Sequence, residues 1–185
     1  DIDIYHLNSS PSTNDWSVSQ LNKTNLNTSF INNIGTTWAS KIITTTWKVG
    51  GGSWANIGTS VPKTAYQYEV GSSASSTTYD AKIGLMYVSD YYYGASPSAW
   101  TLMGSNSDAM KDYRAATSTN WLYLGSYEWT ISRIFGNTDS AFSVSSTGFV
   151  YIYHVASGRG VRPSFNLLSS TTYVSGSGSM SDPDT

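Results

Sequence analysis

A chain of 185 residues suits one domain and is long enough to bury a sizeable core. Only 12% of its residues are charged, about half the usual share, and the formal net charge of -2 gives no clustered basic footprint for nucleic acid or an anionic membrane surface. With no cysteine in the chain, disulfides, thiolate metal sites and cysteine nucleophiles are excluded.

Aromatic residues reach 14%, and Ser, Thr, Asn and Gly supply most of the remaining polarity. Such a composition suits an exported surface or virion protein, although no signal peptide or transmembrane run stands in the sequence. The abrupt start on Asp1-Ile2-Asp3-Ile4-Tyr5 reads as a strand, and as the edge of a domain excised from a longer surface protein. His6 continues that strand as an ordinary strand residue, since no second His or paired carboxylate stands near it at metal-ligand spacing.

After the turn at Ser9-Ser10-Pro11-Ser12 the period changes. Leu21, Leu26, Phe30, Ile31 and Ile34 form a helical stripe within Trp16 to Ile34, and Gly35 is the natural stop. Its Asn and Thr residues are mediocre helix formers, so this helix must depend on packing against a sheet. Three Asn-X-Ser/Thr sequons, at Asn8, Asn22 and Asn27, are what so Asn-rich a chain produces by chance.

Ile42 to Val49 reads as extended or partly helical and is interrupted by Gly50-Gly51-Gly52. Those glycines lack the Lys-Ser/Thr of a phosphate-binding loop. Thr59-Ser60-Val61-Pro62 offers a cap and a first-turn proline for a second helix over Lys63 to Val70, ended by Gly71. Ser72 to Thr78 is a loop, and Ala81 to Val88 alternates as a central core strand. Asp90 to Ala95 turns away through three tyrosines, Pro97 to Asp112 is irregular, and Trp121 to Gly125 restores strand character.

Ala141 to Tyr153 has the clearest pattern. Phe142 and Val144, then Val150 and Ile152, form an apolar set across a turn at Ser146-Thr147-Gly148, which predicts a β-hairpin with that set inward. Phe149, Tyr151 and Tyr153 then point outward as a large apolar face, either covered by the Asp90 to Asp112 loop or open to a partner. Val161 to Leu167 alternates as a further strand, and Ser175 to Thr185 is a surface strand and turn or a frayed tail. Glu128, the one acid embedded in this hydrophobic stretch, is expected to pair with Arg162 or Arg133. His154, with Asp139 and Ser143 in reach, shows no nucleophile elbow, and the scattered acids suggest no catalytic pair.

Several stretches carry a resemblance: Trp129-Thr130, the Ala141-Phe142-Ser143-Val144 hairpin with Gly148, Gly160-Val161-Arg162-Pro163-Ser164-Phe165, Lys82 to Tyr91, the Leu21, Leu26, Asn27, Phe30 helix, and Gly176-Ser177-Gly178 with Asp182-Pro183. In that order they resemble bacterial and phage C-type-lectin-like domains, across nearly the whole chain. Within that superfamily the sequence is similar to variable proteins of diversity-generating retroelements.

The resemblance implies an α+β, C-type lectin-like fold, with two helices flanking small antiparallel sheets and long irregular loops, and residues 1–185 as a single ligand-binding domain. It implies a non-enzymatic receptor or adhesin-type domain, extracellular, cell-surface or on a phage virion, without cofactor. Its partner would be a protein or glycan on another surface. The replaceable recognition positions would be Ile134, Phe135, Asn137, Asp139, Ser143, Ser145, Phe149, Tyr151, Tyr153, His154, Ser157 and Arg159, all types reachable by changing adenines in an Asn codon. The Glu-Pro-Asn and Trp-Asn-Asp calcium motifs of sugar-binding relatives are missing, as are the cysteines of the formylglycine-generating enzymes. A competing expectation is a structural subunit of a surface fibre, pilus or phage tail tip that uses the same face for assembly.

Overall fold

The computed structural model describes residues 4–10, 12–58, 61–102, 118–172 and 174–177. In chain order the strands are β1 (Ile4–His6), β2 (Thr45–Lys48), β3 (Thr78–Ala81), β4 (Glu128–Arg133), β5 (Ser140–Val144), β6 (Val150–His154) and β7 (Gly158–Gly160). The main helices are α1 (Leu21–Phe30), α2 (Gly35–Ala39), α3 (Pro62–Glu69) and α4 (Val88–Tyr93). A five-stranded sheet runs β1-β7-β4-β5-β6 and a two-stranded one pairs β2 with β3. Short helices beside two small sheets make a mixed α/β architecture compatible with the α+β class.

The predicted hairpin forms. β5 and β6 pair antiparallel with Phe142 opposite Ile152 and Val144 opposite Val150. Gly148, at φ 93, takes a left-handed conformation that a side chain would resist, and its amide closes the turn onto the Ser145 carbonyl at 3.0 Å. On the outer side of β5 lies β4, bulged between Trp129 and Arg133, and beyond it β7, which touches β4 in parallel at Glu128 and Gly160. β1 closes the far edge, pairing Tyr5 with Arg159.

Two cores sit on the sheet's two faces. Phe142, Val144, Val150 and Ile134 pack with Met86, Val88, Tyr91 and Tyr92 on one side, and Trp54 and Ile152 line that cluster's rim. On the other, Trp129, Ile131, Ala141 and Val155 meet Leu7, Trp16, Leu21 and Leu26 from the start of the chain. β5 is therefore buried along its whole length.

The first helix forms but is wound wide: the Ile31 amide reaches back five residues to the Leu26 carbonyl. Buried Asn22 donates to the Trp16 carbonyl, while Asn27 exchanges two bonds of 2.9 Å with the Ile83 backbone. Asn residues that weaken a helix by propensity thus tie this one to its surroundings. Gly35, at φ 80, interrupts rather than ends the run, since α2 follows directly. α3 lies within a residue of its expected place, with Pro62 in the first turn.

Several expected strands are absent. Ala81 to Val88 is not a central strand: β3 ends at Ala81, and Ile83 to Met86 lies outside any named strand, exchanging two bonds each with the Asn27 side chain and the Ser164 backbone and accepting one from the Ile131 amide. Its end, Val88, opens α4, so Asp90 to Tyr93 is helix with Tyr91 and Tyr92 buried, and only Gly94 and Ala95 turn. Trp121 to Gly125 is turn, with Trp121 exposed. Val161 to Leu167 makes only isolated bridges, Ser164 to Gly84 and Leu167 to Ile42. Most of the Pro97 to Asp112 expectation and of the Ser175 to Thr185 tail lies outside the described residues.

The triple glycine has a packing role. A Cβ on Gly51, which sits at φ 65, would stand 2.0 Å from the Arg133 carbonyl oxygen. Gly52 bonds that same carbonyl and accepts from the Phe135 amide at 2.9 Å. Bare backbone thereby seals the end of β4 and leads into the helical turn Trp54–Gly58.

Candidate functional site

The outer side of β6 carries a continuous chain of aromatic rings. Trp54 stacks on Phe142 from the core side at 5.8 Å and meets Tyr151 edge-on at 5.5 Å. Tyr151 in turn meets Phe149 at 6.1 Å and Tyr153 at 5.5 Å, and Tyr153 meets Tyr127 at 5.8 Å. Every link from Trp54 to Tyr127 through Tyr151 is edge-to-face, the geometry that ring quadrupoles favour. Arg159 ends the series, its guanidinium carbon 4.1 Å from the Tyr127 centroid and 3.6 Å from that of Tyr153.

Exposure along this chain is graded. Tyr127 and Tyr151 are each 41% exposed, Phe149 and Tyr153 are half-buried, and Arg159 is buried. The Tyr153 phenol is raised by burial and by Tyr127, against the opposing pull of Arg159. The segment from Asp90 to Leu102 does not cover these rings; α4 packs on the Phe142 and Val150 side, where the Tyr91 hydroxyl donates to the Gly148 carbonyl at 2.7 Å.

Beside the rings lies the loop from Ile134 to Asp139. Asn14, which the sequence reading did not single out, holds it: its side-chain amide donates to the carbonyls of Ile134, Asn137 and Ser140 at 3.1, 2.8 and 2.7 Å. Phe135 and Asn137 are exposed on this loop, with the Asn137 side chain accepting from the Asp139 amide. Asp139 stands 3.6 Å from His154 Nε2, and the Ser12 hydroxyl lies 3.4 Å from the same nitrogen. His154 Nδ1 accepts from the Ala156 amide at 3.3 Å. Serine and carboxylate therefore share one ring nitrogen, whereas a relay requires them on opposite nitrogens. Ser157 turns the chain back, its amide bonding to the His154 carbonyl at 2.8 Å.

Three expected site residues are corrected. Ile134 belongs to the core. Ser143 lies fully buried on β5, opposite Trp129 and Tyr151, because that strand is covered on both faces. Ser145 is buried in the hairpin turn, where its hydroxyl accepts from the Thr147 and Phe149 amides. Arg159, also buried, stands against the Tyr127 and Tyr153 rings as a wall of the surface.

Two buried carboxylates flank the site. Glu128 takes two bonds from Arg162, as one of the two expected pairings had it. Glu69 had no such expectation: at the end of α3 it accepts from the Val88 and Ser89 amides at the start of α4 and from the Ser132 hydroxyl. Burial pushes its carboxyl up to about 7. Among the described residues no group of three or more His, Cys, Asp or Glu side chains is placed to hold a metal ion, and no helix is long and apolar enough to cross a membrane. The chain matches no family model, no curated protein and no solved structure.

Proposed function

We propose that this chain is a non-enzymatic ligand-binding domain of C-type-lectin-like fold, receptor or adhesin in type, displayed at a cell surface or on a virion. Its recognition surface is the outer side of β6, with Phe149, Tyr151, Tyr153, Tyr127 and Arg159, extended by Phe135, Asn137, Asp139, His154 and Ser157. The observation that carries this reading is the ring chain. Its members brace one another edge to face while Tyr151 and Tyr127 remain open, so a large apolar contact area is held rigid before any partner arrives. Tyrosine with Ser, Asn and Gly around it offers rigid contact beside adaptable hydrogen bonds.

The residues beneath are suited to a surface whose side chains are exchanged. Phe142, Val144 and Val150 stay inside regardless of what stands at 149, 151 or 153. We read 134 to 159 as a stretch rewritten by a retroelement, with the buried Ile134, Ser143 and Ser145 excluded from the contact surface. A reverse-transcriptase gene beside an imperfect repeat of these codons is the expected genomic finding.

The direct test profiles the domain and its Tyr151→Ser variant against arrays of glycans and surface proteins. Loss of the strongest signals in the variant supports the reading, and identical profiles would overturn it. Light scattering across a concentration series separates the fibre-subunit alternative, which requires polymers that grow with concentration.

A further inference from the structure

A cavity of about 300 Å³ opens beside β7, walled by Ile4, Ser126, Tyr127, Ser146 and Arg159, with glycine backbone between them. Its volume lies at the small end of ligand sites, about that of one ring-sized group. Two polar groups of this wall are left incomplete. The Arg159 side chain, 8% exposed, has an Nε–H with no acceptor. The Ser126 hydroxyl is likewise closed off from water and without a partner.

No carboxylate of the described residues forms an ion pair with Arg159; the two ion pairs there are Asp139 with His154 and Glu128 with Arg162. The guanidinium is held instead between the Tyr127 and Tyr153 rings. Ring quadrupoles offset only part of what it costs to take a cation out of water. The space between two tyrosines that a cationic ligand would seek is already filled by this arginine, and among the described residues no anion balances its charge. Among the described residues no second Lys or Arg lines the cavity, which matches a single negative charge better than a dianion. A planar group with two oxygens fits the guanidinium fork.

We propose that this cavity receives a carboxylate borne by the ligand, with the Arg159 guanidinium donating to its oxygens, the Ser126 hydroxyl turning out of the wall to join it, and Tyr127 against its ring or chain. The proposal rests on the ligand-binding reading above and names the chemistry of one of its subsites. The carboxylate belongs either to an acidic sugar or to an acidic side chain of a protein, and the probes below distinguish these.

The test titrates the intact chain with glucuronate, with glucose as the neutral ring control, and with N-acetyl-aspartate N-methylamide, while following the backbone amide resonances of Ser126, Gly158 and Gly160 on the cavity wall by NMR. A saturable shift with an acid and none with glucose is expected. The acid that responds identifies the source. Arg159→Gln and Ser126→Ala should each weaken the response at least about tenfold, as expected for loss of a charge-assisted bond, and Arg159→Lys should restore only part of it. Should Arg159→Gln fail to fold, Ser126→Ala carries the test. Silence toward both acids, or an equal response to glucose, overturns the assignment. Partner binding that needs Tyr151, together with silence toward acids, would sink this inference alone.

Discussion

Arg162 closes on Glu128 through two parallel bonds, Nε to Oε1 and Nη2 to Oε2, each 2.9 Å, and its Nη2 also donates to the Leu122 carbonyl at 2.7 Å. Glu128 lies on β4 with its side chain 2% exposed, so the arginine, from the segment after β7, is its charge partner in the interior. Removing one member strands the other's charge. Arg162→Met is expected to destabilise the domain by about 3–5 kcal/mol, read by chemical denaturation. Glu128→Gln combined with Arg162→Met should cost less than the sum of the two single changes.

Glu69 makes stability fall as pH rises, the sense expected of an acid whose burial disfavours its charge. Its carboxyl rises from 4.5 to about 7 because burial disfavours the charge, and the amide and hydroxyl donors only partly compensate. The unfolded chain ionises near 4.5, so the stability from this group is complete below that pH and is lost as pH rises through 7. Melting temperature should fall over that window. Glu69→Gln should flatten the fall relative to the parent, a difference that removes the parallel contributions of Asp90 and Glu128, whose carboxyls burial also raises.

The two faces of the hairpin should respond differently to truncation. Phe142→Ala is expected to lose about 3–5 kcal/mol, since its ring is fully buried against Trp54. Tyr151→Ser, on the open side, should stay within about 1 kcal/mol. Tyr153→Ser should fall between them, because that ring contacts Tyr127, Tyr151 and Arg159 at once. Equal losses at 142 and 151 would invert this assignment of faces.

Asn14→Ala should open the loop without unfolding the sheet. Three carbonyls lose their donor, at about 1–3 kcal/mol for the group as a whole. Hydrogen exchange should then quicken between Ile134 and Ser140, while β5 and β6 keep their protection.

The hairpin was legible because a period of two with a Gly-containing turn admits few other solutions, and the inward set follows from it. The lone acid in a hydrophobic stretch likewise pointed to Arg162 or Arg133, and Arg162 is the partner. Ala81 to Val88 shows why other alternating stretches misled. Its side chains alternate as in a strand, yet its backbone groups find partners in the Asn27 side chain, the Glu69 carboxylate and single bridges, and none of these has a local signature. Ser143 was expected at the surface because the resemblance implies it among the replaceable positions, but a strand flanked by β4 and β6 and covered on both faces buries whatever it carries. The ring chain was half visible: Tyr151 and Tyr153 follow from the pattern, whereas Trp54 and Tyr127 arrive from separate segments. Glu69 carried no signal, since its burial depends on where α4 begins.

The pairing of β1 with β7 has a consequence for the order of assembly. Residues 158–160 sit between strands drawn from residues 4–6 and 128–133, and Trp129 Nε1 bonds to the Tyr5 carbonyl at 3.1 Å. During synthesis the first strand must therefore wait unpaired until more than 150 later residues have left the ribosome. Contacts so distant in sequence slow folding and expose a bare strand edge meanwhile. The wall that holds Arg159 is thus among the last parts of the domain to be completed, and a nascent chain stalled before Gly158 would lack it altogether.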